Sequence, residues 1–265
     1  MLKDIFNVPK AVIGMIHLSA LPGTEAYEQK KFSELAKEAV DDARILEDAG
    51  FDAVLFQNTH DIPALTRVHP ETIAYMTAIG LEIKRCINLP IGVNIHKVDA
   101  TATLAIASVL DSPFVRLKVY VGAMLDAQGI VNGCAIEALA YRKKMKIPCQ
   151  IWCDIYDITS WPLVNQPIGE MAHWALKFGK ADSLILTGRS FTETMERAKA
   201  VHVYRPDADI ILGGGITHEN VKEALAIADA VIIGSSLEKQ RFTRPISSEK
   251  AHAFMKLVNQ VREIQ

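Results

Sequence analysis

Apolar residues in this chain gather into short runs, many of them rich in Val and Ile, at residues 12–17, 53–57, 91–95, 114–120, 149–155, 183–187, 209–212 and 230–233. Each is too short for a helix and has the make-up of a buried strand. Between the runs, apolar positions recur every three or four residues. In the first such segment Leu35, Ala39, Ala43, Leu46 and Ala49 fall on one face, and Gly50 closes it. Helices are predicted over 33–48, 70–88, 100–110, 133–145, 168–178, 192–203, 218–228 and 247–264; the second stops before Pro90 and the fourth before Pro148. The last carries a stripe of Ala251, Phe254, Leu257, Val258, Val261 and Ile264. Strands alternating strictly with helices imply parallel pairing through right-handed crossovers. Eight such units of about 33 residues match a single α/β domain, a (β/α)8 TIM barrel spanning residues 1–265. A doubly wound open sheet would place a glycine fingerprint after the first strand, but Ser19-Ala20-Leu21-Pro22-Gly23 stands there.

A barrel puts its chemistry at the C-terminal ends of its strands. Polar residues collect at those ends: His17, Gln57-Asn58, Asn94 with His96, Arg116 with Lys118, Asp154 with Tyr156 and Asp157, and Thr187 with Arg189. Alternation in a strand sorts them further. Asn94 shares a face with His96, Arg116 with Lys118, and Asp154 with Trp152, so these sets point into the mouth while Val115, Leu117 and Ile151 face the helices. Asp154 is the candidate general acid/base, with Arg116 and Lys118 beside it to stabilise an enolate or alkoxide. A structural ion pair between the fourth and fifth strands is the competing role for Arg116. For Lys118, an ion pair toward Asp154 is preferred over a Schiff-base nucleophile. His17, Asn58, Asn94, His96, Tyr156, Thr187 and Arg189 are the candidate substrate-binding residues.

The last two strands run into glycine loops, Gly213-Gly214-Gly215 and Gly234-Ser235-Ser236. Glycines let backbone N–H groups approach an anion, and a helix start beyond the first loop would favour negative charge. Their place after the seventh and eighth strands predicts a phosphate site like that of ribulose-phosphate-binding barrels.

Composition adds exclusions. With 49% hydrophobic and 23% charged residues the chain has an ordinary globular balance. Its net charge of −2 gives no basic surplus for nucleic acid. Cys86, Cys134, Cys149 and Cys153 lack zinc-ligand spacing and suit a reducing compartment. The N-terminal apolar run 11–18 is short, contains His17, and predicts neither a membrane span nor a signal peptide, so a cytoplasmic protein is expected. His17, His60, His69 and His96 fall in the first three loops without an H-x-H or H-E-x-x-H pair. No metal ligand is therefore assigned; a divalent ion held by His and Asp from separate loops is the disfavoured alternative, and the cofactor is left open. A barrel of this size is compatible with a homo-oligomer.

Several segments carry a resemblance. Ile13-Gly14-Met15-Ile16-His17-Leu18 with Leu21-Pro22-Gly23, Gln57-Asn58 with Asp61-Ile62-Pro63, Gly92-Val93-Asn94 and Phe114-Val115-Arg116 are similar in order and spacing to the BtpA family, SgcQ-type members included. So are Asp126-x-Gln128-Gly129-Ile130, Leu186-Thr187-Gly188, Gly215-Ile216-Thr217-x-Glu219-Asn220-Val221 and 228–234. The resemblance covers nearly the whole chain and implies the same barrel. For members in phototrophs it implies a role in photosystem I biogenesis; others sit in sugar-related settings. At the fifth strand many members carry Ala-Asp-Val-His-Val-Lys-His, whereas this chain has Cys153-Asp154-Ile155-Tyr156-Asp157-Ile158-Thr159, which keeps only Asp154 of the chemically active set. Lys118 also stands where members often have Asn. The expectation is an isomerase, epimerase or aldolase acting on a small phosphorylated sugar or nucleoside-like compound. The alternative is a non-catalytic assembly factor that keeps the barrel.

Overall fold

The structure, a computed structural model, describes residues 2–241 and 244–263, so Ile264 of the predicted stripe lies outside the described residues. After a short 3-10 turn (Leu2–Asp4), the first half of the chain forms β1 (Ala11–His17), α1 (Phe32–Asp48), β2 (Ala53–Gln57), α2 (Pro70–Cys86), β3 (Ile91–Asn94), α3 (Ala100–Leu110) and β4 (Phe114–Leu117). Next come β5 (Ala123–Asp126), β6 (Gly129–Asn132), α4 (Ala135–Met145), β7 (Gln150–Asp154), β8 (Trp161–Pro162) and α5 (Ile168–Lys177). The remainder is β9 (Ser183–Leu186), α6 (Phe191–Tyr204), β10 (Ile210–Leu212), α7 (Val221–Ile227), β11 (Ala230–Ile233) and α8 (Ser248–Arg262). Eight strands close into a barrel in the order β1-β11-β10-β9-β7-β4-β3-β2, all parallel. This is the (β/α)8 architecture the alternation predicts.

Side-chain alternation divides the interior into two layers. Ile13, Met15, Leu55, Phe114, Trp152, Ile185, Ile211 and Ile232 point inward, and Leu2 and Phe6 join them from the N-terminal segment. Phe114 stacks on Trp152 with ring centroids 3.7 Å apart. The space for that stack exists because residue 92 is glycine, where a Cβ would lie 2.0 Å from the Phe114 ring. The alternate set, including Val12, Val54, Val93, Val115, Ile151, Leu184, Leu212 and Val231, packs outward against helix faces. With apolar side chains filling the N-terminal half of the barrel, polar inward positions remain only toward its C-terminal mouth.

One feature departs from the predicted alternation. The fourth run was expected to extend to Tyr120, but β4 ends at Leu117 and the chain leaves the barrel for a hairpin. In it β5 pairs with β6 and, on its other side, with β8 from the next loop, all antiparallel. Gly129 takes φ +105° at the hairpin turn, a conformation glycine adopts without a Cβ penalty. The small sheet thus joins the loops that follow β4 and β7. The predicted helix 218–228 also shortens to α7, because Thr217 N donates to Asn220 Oδ1 at 2.8 Å and Asn220 Nδ2 to the Gly215 carbonyl at 2.8 Å.

Candidate active site

One step beyond the apolar layer, the next inward position on every barrel strand is polar or glycine. These positions are His17, Gln57, Asn94, Arg116, Asp154, Thr187, Gly213 and Gly234. Of the residues predicted from the sequence, His17, Asn94, Arg116, Asp154, Thr187, Gly213 and Gly234 are therefore brought together in one layer, and Gln57 joins them.

Arg116 and Asp154 form a two-pronged pair across neighbouring strands, Nε to Oδ2 at 2.8 Å and Nη2 to Oδ1 at 2.7 Å. Both carboxylate oxygens are engaged, and the side chain of Asp154 is only 1% exposed. This is the geometry of the structural ion pair. Lys118 reaches Asp157, with Nζ 3.5 Å from Oδ1, and not Asp154 as the ion-pair expectation had it. Burial pushes the Asp157 carboxyl up, but the charge of Lys118, hydrogen bonds from Thr159 and the charge of Arg116 outweigh it and hold the group below its ordinary value.

His96 sits between these groups and the second loop. Its Nδ1 lies 2.9 Å from Gln57 Nε2 and 3.5 Å from Lys118 Nζ. Burial, followed by the charge of Lys118 and smaller contributions from Lys97 and Arg116, pulls the imidazole down to about 3 against the opposing Asp157. His96 is therefore neutral, and because both neighbours of Nδ1 are donors, the ring proton resides on Nε2. Asn94 donates from Nδ2 to the Arg116 carbonyl at 2.7 Å, while its wholly buried Oδ1 has no hydrogen-bond partner. Asn58, expected to meet substrate, instead joins two loops. Its Oδ1 accepts from His96 N at 2.7 Å and its Nδ2 donates to Asp61 Oδ2 at 2.7 Å, which occupies both ends of the amide.

On the opposite side of the mouth, His17 Nδ1 lies 2.8 Å from Glu238 Oε1. Glu238 follows the glycine loop of β11 within a polar stretch, and sequence reasoning missed it because nothing in its spacing sets it apart. The two glycine loops are tied to each other by Ser236 Oγ, which donates to the Ile216 carbonyl at 2.7 Å. Gly234 and Ser235 lead into a turn closed by Leu237 N on the Gly234 carbonyl at 2.8 Å. Gly214 and Gly215 have φ of +68° and +74°. The expected helix dipole is absent from this loop, since α7 begins only at Val221, after the Asn220 turn. Any anion held here would meet loop backbone, not a helix end.

A cleft of about 720 Å³ opens beside the mouth and is lined by Tyr156, Asp157, Trp161, Gln166, Arg189 and Arg197 among others. The Arg189 guanidinium stacks on Trp161 at 3.7 Å and donates to the Ser160 carbonyl at 3.2 Å. Tyr156 hydroxyl donates to the Gln166 carbonyl at 2.8 Å. Tyr156 and Arg189 therefore belong to this cleft, while Asp154, Arg116 and Asn94 lie outside its lining. Asp157 connects the two, since it lines the cleft and pairs with Lys118. The four N-terminal histidines do not converge. His60 Nδ1 contacts the Leu18 carbonyl at 2.8 Å, and His69 stands just before α2 with no side-chain hydrogen bond to the helix end. Among the described residues no three His, Cys, Asp or Glu side chains are grouped to hold a metal ion, and no helix is long and apolar enough to cross a membrane.

The barrel is shared with phosphoribosyl anthranilate isomerase from Thermus thermophilus, with a TM-score of 0.55 and 18% identity over 95% of this chain and 100% of that one. Sequence relatives are closer. The putative sgc region protein SgcQ of Escherichia coli K12 is 29% identical over 266 residues, covering 98% of each chain. The photosystem I biogenesis protein BtpA of Synechocystis is 28% identical over 241 residues, covering 90% of this chain and 84% of its own. A sequence profile of the BtpA family matches residues 8–260, from the start of the barrel to its last helix, and the chain belongs to that family.

Proposed function

We propose that this protein is an enzyme of isomerase, epimerase or aldolase type acting on a small phosphorylated sugar or nucleoside-like compound. One observation carries the reading: two glycine loops, tied together by Ser236, face a buried set of charged and amide side chains at the same end of the barrel. The phosphate would rest on the backbones of Gly213, Gly214, Gly215, Gly234, Ser235 and Ser236. The rest of the ligand would pass Thr187 and reach toward Tyr156 and Arg189, where the adjoining cleft has room for it. In this reading Asp154, with both oxygens on Arg116, orients that guanidinium toward developing oxygen charge and is poorly placed to carry a proton itself. Lys118, paired with Asp157, serves as a positive charge and not as a nucleophile.

A thermal-shift comparison of sugar phosphates with their dephosphorylated analogues tests the phosphate site. A ligand at 100 times its Kd stabilises by about 2.7 kcal/mol. Gly214→Ala costs about 1 kcal/mol through its positive φ, and Gly214→Asp adds a negative charge to the cradle. Both should weaken the phosphorylated compound far more than its analogue. Equal loss for both compounds in a folded variant would mean that the glycines only shape a turn.

The assembly-factor alternative is favoured by one observation. Ile130, Leu125 and Trp161 stand opposite one another across the small sheet, and all three are exposed. The Synechocystis relative is named for photosystem I biogenesis. Failure of every phosphorylated compound to stabilise the barrel, together with a stoichiometric complex lost on Leu125→Ser, would put this alternative first.

A further inference from the structure

We propose that His17 is the proton-transferring side chain of this site and that Glu238 is the residue positioning it; the proposal rests on the enzyme reading above and names its acid–base group. His17 ends β1 and Glu238 lies in the loop after β11, so the pair spans two strands that are hydrogen-bonded neighbours. The Glu238 side chain is 2% exposed and that of His17 is 14% exposed, so the carboxylate is enclosed while the imidazole opens toward the mouth. A buried carboxylate 2.8 Å from Nδ1 fixes the ring proton there and leaves the basic lone pair on Nε2.

The Nε2 edge turns toward Gly234. A Cβ at residue 234 would lie 2.8 Å from His17 Cε1 and 3.1 Å from Nε2, so the ring occupies the space a side chain would need. Gly234 therefore has two uses: it opens the turn proposed for phosphate and it admits the imidazole beside it. A ligand seated on that turn would lie beside the Cε1–Nε2 edge of the ring.

The other titratable groups of the mouth are engaged differently. Asp154 has both oxygens on Arg116, Asp157 is paired with Lys118, and His96 presents Nδ1 to two donors. His17 alone among these combines a carboxylate on one ring nitrogen with a second nitrogen facing the glycine loop.

The step is enolisation. The Nε2 lone pair takes the proton from the carbon beside the substrate carbonyl; the C–H electrons form the new C=C bond, and the carbonyl π electrons move to oxygen. The imidazolium so formed keeps its Nδ1 proton, hydrogen-bonded to Glu238, and returns the Nε2 proton either to the same carbon or, once the neighbouring hydroxyl has passed its proton to the former carbonyl oxygen, to the carbon that carried the carbonyl. Glu238 takes no proton itself.

Exchange into D2O reads this step without knowing the product. The protein is incubated with a panel of aldose and ketose phosphates, triose to hexose, and the proton beside the carbonyl is followed by NMR. At least one compound should exchange, and His17→Asn should slow that exchange at least ~100-fold while keeping the thermal shift the compound induces. His17→Gln serves if the asparagine variant does not fold. Glu238→Gln should slow exchange about tenfold, and 15N spectra should show that the His17 tautomer is no longer fixed at Nδ1–H; Glu238→Asp should restore part of the rate. Wild-type exchange in both His17 variants overturns the proposal. So does stabilisation by phosphorylated compounds with no exchange by any of them, which leaves the phosphate site standing. If no phosphorylated compound stabilises the protein, the enzyme reading itself fails. An unchanged tautomer in Glu238→Gln removes the positioning role.

Discussion

Replacing Asp154 by asparagine keeps the size of the side chain and removes its charge from beneath Arg116. The guanidinium side chain is 11% exposed, and its partner at 1% is more deeply buried still, so water cannot take over the lost interaction. Asparagine offers one acceptor oxygen where the carboxylate supplied two charged ones, at 2.7 and 2.8 Å. The remaining carboxylate that acts on Arg116 is Asp157, which already serves Lys118. Removing one partner of a buried pair typically costs 3–5 kcal/mol, through the charge left uncompensated. For a chain of this size each kcal/mol lowers the melting temperature by about 2–4 °C, so Asp154→Asn should melt roughly 6–20 °C below wild type. Calorimetry or circular dichroism reads this directly. The double variant Arg116→Met with Asp154→Leu, which removes both charges, should be more stable than Asp154→Asn alone. A melting point for Asp154→Asn within about 2 °C of wild type would show that solvent reaches the guanidinium and that the pair does not hold the mouth together.

Two further outcomes follow from groups shifted by burial. The folded chain holds His96 at about 3, below its ordinary 6.5, so as pH falls the unfolded chain takes up this proton first. That contribution to stability is complete above 6.5 and declines as pH falls toward 3; the urea midpoint should drop between pH 7 and pH 5, and less steeply in His96→Asn. An equal slope in both proteins would contradict a neutral, buried His96. Burial also pushes Cys134 up to about 12, Cys149 to about 11 and Cys153 well above its ordinary value, whereas Cys86 is half-buried. A disulfide reagent should therefore modify Cys86 rapidly in the native protein and all four thiols in urea. Rapid modification of Cys134, Cys149 or Cys153 under native conditions would be inconsistent with this core.

The barrel was legible in the sequence because two independent periodicities agree, and the alternation of Phe114, Arg116 and Val115 already separates mouth from helix layer. The same alternation selects Gln57 through Ala53 and Leu55. The hairpin at 123–132 was less visible, since four-residue strands leave too little pattern to separate from loop. Its clearest mark is Gly129, whose positive φ a single glycine in a sequence does not announce. Asn58 shows a different limit: a polar residue at a strand end can equally well meet substrate or bind loop to loop, and only the positions of His96 and Asp61 decide which. Glu238 could not be found from spacing at all, because its meaning comes from a histidine at the far end of the chain.

That separation bears on how the protein is made. His17 and Glu238 lie 221 positions apart, and beneath them Ala11–Gly14 pairs with Ala230–Ile233 along the seam between first and last barrel strands. During synthesis β1 emerges early with a partner on only one side, and its other edge stays open until β11 leaves the ribosome. Contacts of such long range form late. The histidine–carboxylate pair therefore comes into existence only when the ring is complete, so a truncated or half-folded chain lacks the arrangement on which proton transfer would depend.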